Sequence, residues 1–241
     1  ANTNVVSEFL SYPAQQENIS FGRDSIDPNL TGYQNTPTPR ARNSSSGPGF
    51  APEPVFSRAA GVFTNTSVAV SLSAPAGQIR YTLNGAPPSA TSSLYTNVLT
   101  ISTSTTIKAR VYQPGLLPSA VIARNYMLVD STVAGFSSNL PLMIFSTSGH
   151  GIVDHVPAGQ PRTFASLAAI DTFRGRSSPL GQADYFGQCE MGIRGQTSAG
   201  FPKKPYRVEL QDAYRSDLNA SFFGLPAGAD WVLNNPYSDK P

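Results

Sequence analysis

Hydrophobic and polar residues alternate most clearly in the stretch that begins at Ile79, near the middle of the chain. Ile79, Tyr81 and Leu83 occupy every second position, with polar residues between them. In a β-strand this period of two places the three apolar side chains on one face, so we expect them to lie in a core. Asn84 and Gly85 tolerate positive φ angles and predict a turn directly after this strand.

The same alternation recurs on both sides of this strand, throughout residues 55–129. Turn residues separate the runs about every ten residues, as in sandwiches of short antiparallel strands. The apolar positions that mark the runs are Val68, Val70, Leu72, Val98, Leu99, Ile101, Ile107, Ala109, Val111 and the segment 121–127. No helical period competes with them, so we predict a mainly β fold with an immunoglobulin-like β-sandwich at its centre.

Both flanks of the predicted sandwich are β-rich but incomplete. Residues 1–43 contain two short strand candidates, at 4–12 and 19–23, which cannot bury a core alone. Residues 44–54 are rich in Gly, Ser and Pro, a composition typical of an extended linker. The remaining segment, 130–241, contains strand candidates at 140–145, 164–173, 188–194 and 206–210. We expect the last two to pair with each other.

The composition is typical of a secreted or cell-surface protein. Charged residues make up 13% of the 241 positions, about half the roughly 25% of an average soluble domain. The net charge is +2 and the positive residues are scattered, so the sequence gives no argument for binding to nucleic acid or to an anionic membrane surface. No apolar run approaches the ~18 residues of a spanning helix, so we expect no membrane span.

The chain has a single cysteine, Cys189. One cysteine forms no internal disulfide and no cysteine-based zinc cluster. We therefore expect Cys189 to be a small buried apolar residue. The absence of disulfides is compatible with a secreted protein of bacterial origin.

The central region carries a recognisable series of motifs. It reads IRYTLNG, then two prolines, then LYTNVL and STTIKARVY, and it ends at Tyr126. This series resembles the chitobiase/β-hexosaminidase C-terminal-type domain, with Asn84-Gly85 in place of the usual Asp-Gly turn. The resemblance implies an accessory sandwich that is appended to other modules and has no catalytic residues of its own.

The flanks resemble parts of two other families. The runs VVSEF, ISFGRD and PTPRARN, within residues 1–43, resemble the last part of a bacterial lamin-tail domain. The runs LPLMIF, IRGQTSAGFPKKPYRVEL and GLPAGADWVLNNPYSDK, within 130–241, resemble the start of a CotH-like kinase domain. Together these resemblances imply a fragment of a bacterial secreted multidomain protein, with the kinase's metal-binding acidic residues further along than Pro241.

Three positively charged side chains are the candidate functional residues of the CotH-like region. A kinase needs cations that neutralise phosphate, and Arg194, Lys203 and Lys204 are the candidate phosphate-facing residues. The competing interpretation is a solvated basic turn with an arginine that braces the loop. We predict no catalytic residue, no metal ligand and no cofactor in this chain, because cations without metal-binding carboxylates transfer no phosphate.

Two further sets of residues deserve a structural test. His150, Asp154 and His155 are conceivable metal ligands, but Gly149 and Gly151 around His150 favour a solvent-exposed loop. The aromatic residues considered for a sugar-binding face are Trp231, Tyr237, Tyr81 and Tyr95. For Trp231 and Tyr81, core packing is the favoured interpretation.

The sequence supports three hypotheses of function. The first is a noncatalytic structural or adhesive segment of a bacterial surface protein, built as the repeating unit of a filament by head-to-tail addition of the strand at 4–12 to a neighbouring copy. The second is a truncated part of a secreted CotH-like atypical protein kinase. The third is a carbohydrate-binding accessory module whose partner is a polysaccharide.

Overall fold

The computed structural model describes nearly all of the chain from residue 49 onward and short parts of the segment before it. The described residues are 8–9, 13–15, 19–25, 27, 29–34, 38–42, 47, 49–153 and 162–237. The strand predicted at 4–12 therefore lies almost entirely outside the described residues. The same is true of Asp154 and His155.

The N-terminal segment contains one antiparallel strand pair, β1 (Ser20–Arg23) and β2 (Thr31–Gln34). The strand predicted at 19–23 is confirmed, whereas β2 was not predicted. Phe21 and Tyr33 face each other in register, with ring centroids 5.4 Å apart. The Tyr33 ring also contacts Phe50, at 4.4 Å between centroids, which joins this strand pair to the chain that enters the central domain.

Nine strands form the central β-sandwich. One layer is a five-stranded sheet in the order β4-β11-β10-β7-β8, in which β4 and β11 run parallel and the other neighbours antiparallel. The other layer consists of the pairs β3–β6 and β5–β9. The strands are β3 (Val55–Phe56), β4 (Gly61–Phe63), β5 (Val68–Val70), β6 (Leu72–Ser73), β7 (Gln78–Thr82), β8 (Ser93–Leu94), β9 (Leu99–Ile101), β10 (Thr105–Tyr112) and β11 (Ile122–Leu128).

The core between the two layers follows the predicted alternation in most strands. Ile107, Ala109 and Val111 are fully buried on β10, and Ile79 is buried on β7. The sandwich and its apolar face are thus confirmed.

The prediction of a core position is wrong for Leu83 and Val98, which are 47% and 56% exposed. Strand β7 ends at Thr82, and the chain turns through Gly85 at a φ of 76°. Side-chain alternation has no meaning beyond that point, because the strand has ended. Val98 likewise lies one residue before β9 begins.

The second half of the predicted linker packs against the sandwich. Ala51 and Pro54 are buried, and the Ala51 N–H donates to the Leu117 carbonyl at 2.8 Å. Phe50 forms a parallel bridge with Leu117. The apolar residues in this Gly- and Pro-rich segment give it a surface to bury, which composition alone does not reveal.

A second five-stranded sheet follows, in simple antiparallel chain order. Its strands are β12 (Leu142–Ser146), β13 (Thr163–Ile170), β14 (Tyr185–Ile193), β15 (Tyr206–Gln211) and β16 (Asp230–Leu233). The predicted pairing of the strands at 188–194 and 206–210 is confirmed as β14–β15. The strand predicted at 164–173 ends at Ile170, because the chain turns back on itself where Phe173 bridges Arg176, and Phe173 is 73% exposed.

Helix is nearly absent from the described residues. They contain α1 (Ser131–Ala134), capped by the Asp130 carboxylate, and a 3₁₀ turn (Ser198–Gly200). Neither of these described segments has the length or apolar character that a membrane-crossing helix requires.

One face of the second sheet forms its own core. Cys189, Met191, Val208 and Leu210 lie there beneath Phe222, which belongs to the connection between β15 and β16. Cys189 is fully buried, as predicted, and this burial raises the pKa of its thiol to about 12. The thiol therefore remains protonated and unreactive in the folded chain at neutral pH.

The first prediction compares a buried residue of the central domain, Ile107, with a half-exposed one, Leu83. Ile107→Ala should lower the free energy of unfolding by about 2–5 kcal/mol, because it leaves a cavity at a fully buried site. Leu83→Ala should cost less than about 1 kcal/mol, because its side chain is half exposed. Urea denaturation monitored by circular dichroism measures both, and equal losses would contradict the burial of Ile107 and the exposure of Leu83.

Candidate functional site

The outer face of the central sandwich is covered by the second sheet. Met127 of β11 is buried against Ala168 and Ile170 of β13. On β10, Thr106 and Lys108 point away from the sandwich core, yet both are buried. We call this interface between β10–β11 and the second sheet, with its turn 212–216, the seam.

Lys108 is the most unusual residue of the seam, because its side chain is fully buried. Its ammonium nitrogen Nζ donates to the Ala213 carbonyl at 2.8 Å and lies 5.9 Å from the centre of the Phe164 ring. The pKa of Lys108 is lowered to about 7, chiefly by burial and also by the nearby Arg215 guanidinium, while the Asp212 carboxylate opposes the shift.

Three consecutive residues of the turn after β15 bind the central sandwich. The Ala213 carbonyl accepts the hydrogen bond from Lys108. The side-chain hydroxyl of the next residue, Tyr214, accepts from the Val121 N–H at 3.0 Å. The Arg215 guanidinium then donates through Nε to the Gly85 carbonyl at 3.0 Å.

The Asp212 carboxylate holds this turn in shape. Its Oδ1 accepts from the Tyr214 N–H at 2.8 Å and from the Ser216 N–H at 2.9 Å. Arg215 sits at a φ of 71°, a conformation that few side chains adopt without support. The Gln188 side-chain amide also donates to the Asp212 carbonyl, which ties the turn to the neighbouring strand β14.

Gly85 and Phe164 meet at the edge of the seam. A Cβ atom on Gly85 would lie 2.8 Å from the Phe164 ring, so the close approach requires glycine. The φ of 76° at this position requires it independently. Arg215 lies over the same ring, 5.5 Å from its centre.

The polar centre of the seam is hydrogen-bonded. The Thr106 hydroxyl donates to Asn125 Oδ1 at 2.6 Å and lies 3.1 Å from the Ser166 hydroxyl of β13. All three residues are buried. Sequence reasoning used only the apolar positions of β10, so it missed Thr106, Lys108 and the turn that binds them.

Arg194, the first of the predicted phosphate-facing residues, lines a cleft of about 400 Å³ at the other end of the second sheet. Arg162 and Arg207 line the same cleft, and Arg207 pairs with Gly192 of β14. Arg162 forms an ion pair with Glu209. The alternation of YRVEL assigns Arg207 to the face opposite Val208, so this residue was within reach of sequence reasoning.

The structure does not bring the two predicted lysines into this cleft. Lys204 donates its ammonium hydrogen bond to the Ala199 carbonyl, and its own carbonyl accepts from the Asn235 amide. Lys203 is exposed. Within the loop between β14 and β15, Lys204 makes these two contacts, and the backbone N–H of Arg194 donates to the Pro205 carbonyl at 3.1 Å.

The histidine hypothesis receives no support from the described residues. His150 is exposed in a turn where its N–H donates to the Thr147 carbonyl at 3.0 Å. Among the residues that the structure describes, no three His, Cys, Asp or Glu side chains converge to hold a metal ion.

The four aromatic residues considered for sugar binding are divided between the central sandwich and the region of the second sheet. Tyr81 and Tyr95 contact each other edge to face at 6.5 Å and pack against the core of the central sandwich. Trp231 lies in the second sheet, 4.4 Å from Phe222, and its indole N–H donates to the Gly228 carbonyl. Packing is thus confirmed for Trp231 and Tyr81.

Comparison with known families supports two of the three resemblances. Residues 58–123 match the model of the chitobiase/beta-hexosaminidase C-terminal domain, and residues 191–241 match that of the CotH kinase protein. No curated protein and no solved structure matches the chain. The chain thus carries a chitobiase-type domain and a CotH-like segment, and the seam joins them: Lys108 lies in the first match and Ala213 in the second. The lamin-tail resemblance of residues 1–43 stays a prediction.

The contact between Gly85 and Phe164 gives the second prediction. Gly85→Ala should lower the free energy of unfolding by about 2–4 kcal/mol, because backbone strain and overpacking add. Gly115→Ala is the matched control, since Gly115 has a similar φ of 80° and open space around it. It should cost only about 1 kcal/mol of strain. Equal losses in urea denaturation would mean that the seam contributes no packing at this point.

Proposed function

We propose that the chain is a noncatalytic structural segment of an extracellular or cell-surface bacterial protein. In this proposal the chitobiase-type sandwich and the CotH-like sheet act as one rigid unit that holds neighbouring modules at a fixed angle. Domains of both families are typically extracellular or surface-associated. The observation that carries the proposal is the seam.

The seam differs from the contact of two loosely linked domains. Interfaces between domains of one chain are usually more polar than obligate interfaces, and relative motion of the domains is the default. Here the Lys108 side chain is fully buried, and three successive residues, Ala213, Tyr214 and Arg215, each bind a backbone or side-chain group of the other domain. Leaving Lys108 buried without its partner would be costly, so the two domains favour one relative position.

Calorimetry tests this rigid coupling. At about pH 8, residues 49–237 should unfold in one transition with equal calorimetric and van't Hoff enthalpies. Arg215→Ala should lower the transition temperature, because it removes a hydrogen bond across the seam that is worth about 1 kcal/mol. Arg124→Ala, which removes a guanidinium that lies against Phe56 away from the seam, is the matched control. Two separate transitions in the unmodified chain would overturn the proposal.

The second candidate is that the chain is the entry part of a CotH-like kinase. The CotH match over residues 191–241 and the arginine-lined cleft favour it. In this alternative Arg194 faces phosphate with Arg162 and Arg207 around it, while Lys203 and Lys204 lie in the adjoining loop. Guanidinium groups suit such a role, because they bind phosphate oxygens in pairs.

Phosphate transfer separates the two candidates. Under the structural proposal, the chain incubated with ATP and Mg²⁺ should neither phosphorylate itself nor hydrolyse ATP, because transfer requires carboxylates that position the metal. Magnesium-dependent autophosphorylation that is lost in Arg194→Ala or Lys203→Ala, and retained in the control Arg124→Ala, would favour the kinase. Mass spectrometry and release of radiolabelled phosphate measure both reactions.

Two partners belong to the structural proposal. A polysaccharide suits the chitobiase-type domain, and a pull-down with insoluble glycans tests it. A second copy of the chain is the partner in a filament; among the described N-terminal residues, β1 and β2 pair with each other, so an added strand would come from residues 4–12. Light scattering over a range of concentrations tests self-assembly, and a strictly monomeric chain would refute it.

A further inference from the structure

The charges that surround Lys108 do not balance when it is protonated. On its own sheet, its strand neighbours are the uncharged Thr82 and Ala123. The charged groups that face it from the second sheet are the Arg215 guanidinium and the Asp212 carboxylate. The carboxylate is shared with two backbone N–H groups of its own turn.

Neutral Lys108 suits this environment better than its ammonium form. With the amine neutral, the single positive charge of Arg215 and the single negative charge of Asp212 balance, and the amine still donates to the Ala213 carbonyl. With the amine charged, two cations share one carboxylate beside a fully buried side chain. Desolvation and like-charge repulsion then act in the same direction.

We propose that the seam is a pH-responsive joint, in which deprotonation of Lys108 strengthens the docking of the chitobiase-type sandwich on the CotH-like sheet. This inference rests on the rigid coupling proposed above and adds its regulation. The two domains then dock more tightly as the pH rises above about 7, and they separate more readily at neutral or lower pH.

The direction follows from the two protonation equilibria. In the docked state the pKa of Lys108 is about 7, whereas its ordinary value is 10.5. Below about pH 7 the amine is charged in both states, and the full cost of burying the charge opposes docking. Between these two values the undocked state holds one more proton, so each pH unit favours docking by up to tenfold. Above pH 10.5 the amine is neutral in both states, so docking no longer changes with pH.

Other shifted groups belong to the interior of one domain, so docking leaves them unchanged. The Cys189 thiol, with a pKa raised to about 12, lies in the core of the second sheet. The Tyr126 hydroxyl, with a pKa also raised to about 12, donates to the Arg58 carbonyl within the sandwich. Both groups affect global unfolding at high pH, and a test of the joint must therefore report docking alone.

Hydrogen exchange at two amides provides that report. The Val121 N–H is bonded across the seam to the Tyr214 hydroxyl at 3.0 Å, so its protection requires docking. The Val111 N–H is bonded to the Ser119 hydroxyl within the sandwich at 2.9 Å and serves as the internal reference. Exchange is followed by NMR on the full chain and corrected for the intrinsic pH dependence of amide exchange.

The protection factor of Val121 should rise by up to about tenfold per pH unit between about pH 7 and 9, while that of Val111 stays constant. In Lys108→Met, which keeps the length and loses the charge, the Val121 protection should be high and independent of pH. Lys203→Met, the change of an exposed lysine away from the seam, should retain the slope.

Several results would overturn the proposal of a pH-responsive joint. One is a flat Val121 profile in the unmodified chain, and another is a slope that persists in Lys108→Met. Direct NMR titration of the Lys108 side chain gives a measure that needs no variant, and a midpoint near the ordinary value of 10.5 would also refute it. Failure of the rigid coupling itself would appear separately, as two calorimetric transitions at about pH 8, where docking is already favoured.

Discussion

A β-strand that is covered on both faces must satisfy every polar side chain it carries, and β10 is such a strand. One face places Ile107, Ala109 and Val111 in the sandwich core. The other presents Thr106 and Lys108 to a second sheet that excludes water from them. A buried polar group without a partner costs about as much as a lost hydrogen bond or more, so this face constrains the second sheet more strongly than an apolar face would.

The constraint is met by a turn rather than by a strand. Strand backbones already use their N–H and C=O groups in the sheet, and they have few acceptors left for a neighbouring domain. The turn at 212–216 has spare groups, and it presents the Ala213 carbonyl, the Tyr214 hydroxyl and the Arg215 guanidinium in succession. Asp212 organises the turn internally, which pre-forms the arrangement before the central sandwich binds it.

Sequence reasoning predicted most strands but not the seam. One physical reason accounts for the success and for the failure. Alternation reports which face of a strand is apolar, so Ile107, Ala109 and the β14–β15 pair were within reach. Alternation assigns the other face to water by default. It contains no signal for a second layer that covers Lys108, nor for the end of β7 just before Leu83. Of the arginines that line the basic cleft, Arg194 was named from a motif as a candidate phosphate-facing residue, whereas no motif or alternation pointed to Arg162.

The seam combines two kinds of contact that do different work. Its apolar end, where Met127 is buried against Ala168 and Ile170, supplies affinity without a preferred register, because burial of apolar area is not directional. Its polar end adds little net stability, since desolvating Lys108 opposes the gain from its hydrogen bond. It specifies position instead: any sliding of one sheet over the other would leave a buried amine without its acceptor. In the proposed rigid unit, apolar contact therefore holds the domains together, and Lys108 sets their relative position.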